Sequence, residues 1–159
     1  MGCTDDFPTG YVVGFIDAEA SFSVSIKYQR GYGVRLDPMF GITQLSEKPL
    51  ELIRDVIKAG RIIRKPGQRH LHLYVVDRID ELSTRLVPFL DTHRQMLVAK
   101  GEAYDVFREI VTALANGEHK KRDGLRRLVE LAYKLSQMNP KSRRKRTLQE
   151  VLKLLNPDF

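Results

Sequence analysis

A strict alternation of polar and apolar residues between Ser21 and Gln29 most restricts the fold of this chain. Every second residue from Phe22 to Tyr28 is apolar or aromatic, and the residues that alternate with them, from Ser21 to Gln29, are serines, a lysine and a glutamine. A period of two is typical of a β-strand that buries one face and exposes the other. The sequence therefore predicts a strand with one wholly polar face.

Further stretches complete a predicted sheet of two hairpins. Apolar residues recur in a second strand from Val34 to Ile42, and residues 61–65 and 70–76 form the other hairpin. In the last of these strands His70 and His72 alternate with leucines, so we expect both imidazoles on the polar face of the sheet.

Helical spacing of apolar residues predicts helices before, between and after the hairpins. We expect the first helix at about residues 6–18, another from Pro49 to a stop at Gly60, and a helical remainder from Ile79 onward. The predicted fold class is α+β, with an αββαββα core, a four-stranded antiparallel sheet covered by helices on one face, and extra C-terminal helices.

Length and composition indicate one globular domain, residues 1–159, with a core of about 6–115 and a basic helical part at 118–159. A single cysteine, Cys3, excludes an internal disulfide framework. No apolar run approaches the roughly 18 residues of a membrane helix. The first residues are acidic where a secretory signal is basic. We therefore expect an intracellular protein without a membrane partner, cytoplasmic in a prokaryote or located in an organelle.

Positive charge is concentrated towards the end of the chain. The formal net charge is +7, and residues 118–146 contain eleven basic and three acidic side chains. Such a tract favours a polyanionic partner, because neutralising phosphates releases condensed counterions. A solvated helix face is the alternative that charge alone leaves open.

The end of the first predicted helix combines small residues with an acid. Gly10, Gly14 and Ala18 share one helix face, which allows either another helix backbone or the chain's own sheet to approach closely. Glu19 follows, where the helix dipole disfavours a carboxylate. An acid in this unfavourable place indicates a function, above all as a ligand for a hard divalent cation.

These residues resemble the LAGLIDADG homing endonucleases. Residues 12–20, VVGFIDAEA, resemble one copy of the family motif, 40–44, FGITQ, the end of its second strand, and 88–90, PFL, the end of its third helix. The resemblance implies a saddle-shaped sheet. It also implies an endonuclease for intron homing that hydrolyses one phosphodiester in each strand of a long pseudo-palindromic DNA site.

The resemblance further implies roles for individual residues. Glu19 matches the metal-binding carboxylate, with Ala20 beside it in the metal site, and Gln44 matches a polar residue that orders water near the scissile phosphate. A basic group completes the site, which we place at His93, with Arg94 as the neighbouring option. The implied cofactor is Mg²⁺ or Mn²⁺.

A single copy of the motif implies a homodimer, in which the motif helices of two chains pack side by side. Gly10, Gly14, Asp17 and Ala18 are then expected at the dimer interface. The polar strand faces and the basic tract are expected to bind double-stranded DNA. The candidate DNA contacts are Ser23, Ser25, Lys27, Gln29, Arg35, Arg64, His70, His72, Lys141, Arg143, Arg144 and Lys145.

Two positions depart from the family pattern. Ala20 replaces a glycine, which is expected to strain the turn from helix to strand, and His93 replaces a lysine. They leave open a non-catalytic DNA-binding protein, such as a repressor, on the same fold. The resemblance itself leaves open a second alternative, an RNA maturase, since that role occurs among relatives of the family.

Overall fold

The order of helices and strands confirms the predicted α+β class. The computed structural model describes residues 3–155, with side chains described from Phe7 onward. The strands are β1 Ser21–Gln29, β2 Gly33–Gln44, β3 Arg61–Lys65 and β4 Gln68–Val76. The helices are α1 Cys3–Glu19, α2 Lys48–Ile57, α3 Ile79–Glu81, α4 Val87–Thr92, α5 Gly101–Ala115, α6 Arg122–Gln137 and α7 Leu148–Leu154.

The four strands form one antiparallel sheet in the order β1-β2-β4-β3. The register between β2 and β4 pairs Phe40 with Val76, Ile42 with Tyr74 and Gln44 with His72. Phe40, Ile42, Tyr74 and Val76 are completely buried, so this face of the two strands belongs to the core.

Two turns position the second half of the sheet. Helix α2 has proline near its start and ends at Ile57, and the next residue, Lys58, adopts a left-handed conformation and donates its backbone N–H to the carbonyl of Arg54. Gly60 follows with φ +81°, and a Cβ there would lie 2.6 Å from the carbonyl oxygen of Val75. Only glycine combines this φ with so close an approach to β4.

The chain separates into two compact units, each built from two stretches of sequence. One contains the residues up to Ser21 together with Met39–Glu102, and the other contains Phe22–Pro38 together with the residues from Ala103 onward. In the second unit, the ring of Phe22 packs 5.7 Å from Tyr104 and 5.2 Å from Phe107. A single domain over residues 1–159 stays a prediction.

The segment between β4 and α5 is irregular. Residues Leu82–Leu86 form a π-helical stretch between α3 and α4, and Arg94–Met96 form a 3₁₀ turn after α4. Within residues 3–155, no helix has the length and apolar character needed to cross a bilayer.

Candidate functional site

The carboxyl end of α1 brings the predicted acid to the surface. Glu19 is the last residue of the helix and is exposed. Ala20, which follows it, is 3% exposed, and its backbone N–H donates to the carbonyl of Ile16 at 3.0 Å. Among the described non-glycine residues only Lys58 has a positive φ. The expected strain at Ala20 is therefore wrong, because its backbone is ordinary and its methyl group packs into the core.

Asp17 ties the end of α1 to the segment before α5. Its carboxylate accepts hydrogen bonds from the backbone N–H of Ala99 at 2.9 and 3.0 Å and of Lys100 at 2.9 Å. Burial alone would raise the pKa of Asp17, but these N–H groups and the Lys100 charge outweigh it and lower the pKa below its ordinary value. The carboxylate thus has a structural role inside its own protomer, and its place in a dimer interface stays a prediction.

Lys100 supplies the positive charge at this site. Its Nζ donates to the carbonyl oxygens of Asp17 at 2.9 Å and Ala18 at 3.0 Å, directly before Glu19. A cation at this place complements the negative end of the helix dipole. The structure therefore holds an ammonium group at the end of α1, one residue from the candidate metal ligand.

The sequence placed that charge at His93 or Arg94. The ring of His93 packs edge-on against Phe89 with centroids 5.0 Å apart. The guanidinium of Arg94 donates to the carbonyl of Leu97 at 3.4 Å and crowds Gly101, where a Cβ would lie 2.4 Å from Nη1. Neither of these contacts involves Glu19, and catalytic roles for His93 and Arg94 stay predictions.

A position counted from Leu90 in helical register does not reach Lys100, because the 3₁₀ turn and the loop after it break that register before α5. The available signal was the residue type. A lysine completes the site in the family that the motif resembles, and Lys100 is the first lysine after Pro88-Phe89-Leu90.

Gln44 lies in a row across three strands. It stands opposite His72 on β4, which in turn stands opposite Arg64 on β3. The Nδ1 atom of His72 lies 3.0 Å from the carbonyl oxygen of Leu45, and Nε2 lies 3.6 Å from the Glu47 carboxylate. The histidine therefore braces the loop that directly follows Gln44.

This row corrects the predicted face of β4. Alternation puts His70 and His72 on the same side as Tyr74, which is wholly buried and whose hydroxyl donates to the carbonyl of Ala59 at 2.7 Å. Arg64, paired with His72, lies on that side too. The expectation that these residues occupy the face opposite the core is wrong, because the tyrosine belongs to the core despite its polar hydroxyl.

On β1 the predicted alternation is confirmed from Phe22 to Ser25, but Tyr28, expected on the buried side, is 38% exposed. Phe22 and Val24 are buried, whereas Ser25, Lys27 and Gln29 are exposed and Ser23 is half-buried. These residues remain candidates for DNA contact.

A shared carboxylate fixes two of the candidate cations. Lys27 and Arg35 both pair with Asp37, at 2.7 and 2.9 Å. Burial would raise the pKa of Asp37, but hydrogen bonds from Arg35 and Lys27 lower it below its ordinary value. The cluster therefore keeps one net positive charge in a defined position on these strands.

The basic residues after α6 differ from one another. Among the described residues, Lys141, Arg143 and Lys145 form no ion pair with a carboxylate and are exposed. Arg144 is turned inward, and its Nη2 donates to the carbonyl of Val24 at 2.7 Å. The guanidinium of Arg144 is therefore held by the protein, and its predicted role as a phosphate contact stays a prediction.

The stripe of small residues on α1 is open. Gly14 and Ala18 are exposed, and a Cβ built on Gly10 or Gly14 would meet no atom within 4 Å. Phe7, 76% exposed, lies on the same helix. Close packing of these glycines on the chain's own sheet, the alternative that the sequence left open, is excluded.

The side chains around Glu19 decide whether one chain can hold a metal ion by itself. Within the described part of the chain, no group of three or more His, Cys, Asp or Glu side chains is placed to ligate one ion. A hard cation at Glu19 therefore needs further oxygen ligands from outside these side chains. An exposed carboxylate at the end of α1 fits such a shared site.

Comparison with known proteins adds to this geometry. A profile of the LAGLIDADG endonuclease family matches residues 12–111. The sequence is 46% identical over 153 residues to homing endonuclease I-ApeII of Aeropyrum pernix, covering 94% of this chain and 90% of that protein. The structure superposes on the archaeal intron-encoded homing endonuclease I-Vdi141I, solved with DNA, with a TM-score of 0.92, 45% identity and 96% coverage of both chains. The group I intron-encoded endonuclease I-CeuI, solved with DNA, shares the fold at 23% identity with a TM-score of 0.80, covering 94% of this chain and 76% of that one.

Proposed function

Because the chain belongs to the LAGLIDADG endonuclease family, we propose that it is a site-specific homing endonuclease that cleaves double-stranded DNA. The observation that carries the proposal is the end of α1. There Glu19 is exposed, the Lys100 ammonium binds the carbonyl oxygens of the two residues before it, and Asp17 holds the Lys100 segment in place. The net charge of +7 is consistent with a polyanionic substrate.

Enzymes of this family depend on a metal ion, and we propose Mg²⁺ or Mn²⁺ at Glu19, with the neighbouring position Ala20 completing the site. When bound, such an ion lowers the pKa of a water molecule and stabilises the leaving oxygen. Glu19 would hold the ion through its carboxylate. Gln44, at the end of β2, would orient the attacking water.

Lys100 would act on the charge that develops at phosphorus. Its ammonium is already fixed by two carbonyl oxygens, so it needs little reorganisation when a phosphate arrives. Fixed positive charge of this kind stabilises a transition state more than mobile charge does. We therefore assign to Lys100 the role that the sequence suggested for His93 or Arg94.

The active form in this proposal is a homodimer. The chain carries one copy of the motif, and the open stripe at Gly10, Gly14 and Ala18 allows a second α1 to approach. Pairing these helices would bring two Glu19 carboxylates together and supply oxygen ligands that one chain lacks. Two such sites related by a two-fold axis would cut one phosphodiester in each strand.

Cleavage is tested on a plasmid that carries the joined sequence of the gene's own flanking exons. We expect one linear product with Mg²⁺ and none with EDTA. Glu19→Gln is expected to abolish cleavage and to keep DNA binding, because it removes a ligand charge and leaves the fold intact. Glu51→Gln, an exposed carboxamide substitution on α2, is the matched control and is expected to cut normally.

The other outcomes point to the alternatives. A protein that shifts the duplex on a gel without cutting it would be a non-catalytic DNA-binding protein. A protein that does not bind the duplex but binds the intron RNA at the same salt concentration would be a maturase. Normal cutting by Glu19→Gln would refute the metal assignment.

A further inference from the structure

Four basic residues in succession, Arg143 to Arg146, follow the break after α6. With Lys141 they form what we call the basic segment, residues 141–146. Arg143, Lys145 and Arg146 are exposed, whereas Arg144 is half-buried. The segment lies beside β1, which is an edge strand because its neighbour in the sheet is β2 alone.

Arg144 makes three hydrogen bonds to two different elements. Its Nη2 donates to the carbonyl oxygens of Val24 on β1 at 2.7 Å and of Ala132 on α6 at 3.1 Å. Its Nε donates to the hydroxyl of Ser136 at 2.6 Å. The planar guanidinium fork suits this arrangement, since it reaches acceptors on both sides at once.

Contacts with two tyrosines also hold the basic segment against the protein. The guanidinium of Arg144 lies 4.9 Å from the ring centre of Tyr133, and the Tyr133 hydroxyl donates to the carbonyl of Arg146 at 2.7 Å. The Arg146 guanidinium in turn lies 5.8 Å from the ring centre of Tyr28. Burial lowers the pKa of Arg144, because its charge gives up part of its hydration where these contacts form.

We propose that Arg144 is a positioning residue that docks the basic segment on the edge of β1 and thereby places Arg143, Lys145 and Arg146 to bind the phosphates of duplex DNA. This proposal rests on the DNA-binding part of the proposed function. It divides four adjacent bases into one that faces the protein and three that face the ligand. The three exposed cations remain able to exchange counterions for phosphates.

The first test needs no DNA. Limited digestion with trypsin reports the docking, because the segment is rich in cleavage sites that a docked backbone protects. We expect Arg144→Gln to be cut within the segment about tenfold faster or more than wild type, because a hydrogen bond from a charged donor contributes about that factor. Arg143→Gln, the matched control, is expected to keep wild-type protection.

The second test measures duplex affinity against salt concentration. Loss of one phosphate contact lowers the slope of log K against log[salt] by about 0.9, and we expect this from Arg143→Gln. Arg144→Gln is expected to lower the slope by about two or more, since several cations lose their place. Arg144→Lys is expected to lower the slope as much as Arg144→Gln does, because the lysine ammonium does not reach the three acceptors of the guanidinium.

A neutral substitution guards against a simple folding defect. Ser136→Ala removes the acceptor of Nε and no charge, and it is expected to raise the rate of tryptic cutting and to lower the salt slope. Unchanged trypsin protection in Arg144→Gln would overturn the docking role. Full binding by Arg144→Lys with a loss of one unit in Arg144→Gln would make Arg144 a direct phosphate contact and overturn the proposal. Wild-type protein that binds no duplex would refute the proposed function, and the trypsin test would still decide the docking.

Discussion

Gly14 offers a substitution whose expected effects on the protomer and on the proposed homodimer have opposite signs. It lies in the interior of α1, and a Cβ at this position meets no atom within 4 Å. Gly14→Ala therefore introduces no clash in the protomer. Because alanine has the higher helix propensity, the free energy of unfolding of the protomer is expected to rise by about 0.8–1 kcal/mol.

The same methyl group weakens a close helix pair. Inserting a methyl group into a packed contact costs about 1–3 kcal/mol, and a two-fold axis applies that cost twice. The dimer is therefore expected to lose about 2–6 kcal/mol, so its dissociation constant rises at least about 30-fold. Gly14→Leu is expected to abolish the dimer.

Sedimentation equilibrium with and without a target duplex measures the dissociation constant of the dimer. Urea unfolding at low protein concentration measures the free energy of unfolding of the protomer. Thr112→Ala, on the exposed face of α5, is the control, because it raises helix propensity away from α1. Wild-type dimerisation by Gly14→Ala would refute the pairing of motif helices. A lower free energy of unfolding for the Gly14→Ala protomer would refute the claim that this face of α1 is open.

Three further predictions concern contacts within the compact unit that contains α1 and β4. Lys100→Met is expected to abolish cleavage and, by removing the cation from the helix end, to cost about 1 kcal/mol in chemical unfolding; cutting by this variant at the wild-type rate would contradict the assigned role. The stability that Asp17 contributes is fully present above its ordinary pKa of about 3.9 and is lost as the pH falls through its lower value in the folded chain, because the carboxylate that binds the Ala99 N–H is then protonated. The protection factor of the Ala99 amide, in which the intrinsic pH dependence of exchange is divided out, is expected to fall at that pH in NMR measurements and to stay constant from pH 5 to 7. Tyr74→Phe is expected to cost about 1–3 kcal/mol in unfolding, because the buried carbonyl of Ala59 loses its donor; a neutral result would show that water replaces the hydroxyl.

The regular elements were predictable because each depends on local periodicity. The alternation at Ser21–Gln29 and the proline at the start of α2 act through the nearest neighbours in the chain, and β1 and α2 formed where these patterns predicted them. The motif around Glu19 was also recognisable, since it occupies consecutive positions.

The misplaced residues depend on partners that are distant in sequence. Tyr74 looks amphipathic on its strand, and only the carbonyl of Ala59, 15 residues away, makes it a core residue and turns His72 to the same side. Lys100 reaches the end of α1 from 82 residues further along, after turns that follow no fixed period. Arg144 lies among bases of identical charge, and only the Val24 carbonyl, 120 residues away, distinguishes it.

The interleaving of the two compact units has a consequence for synthesis on the ribosome. The hairpin Phe22–Pro38 emerges early, yet its apolar face packs on residues from Ala103 onward, with Phe22 against Phe107. At about 5–20 residues per second, the 85 residues from Phe22 to Phe107 take about 4–17 s to make. For that interval the nascent chain carries an uncovered hairpin, while the other unit has all its residues once Glu102 is added. The unit that carries Glu19 and Lys100 therefore has all its residues first, while the hairpin Phe22–Pro38 still lacks the residues on which it packs.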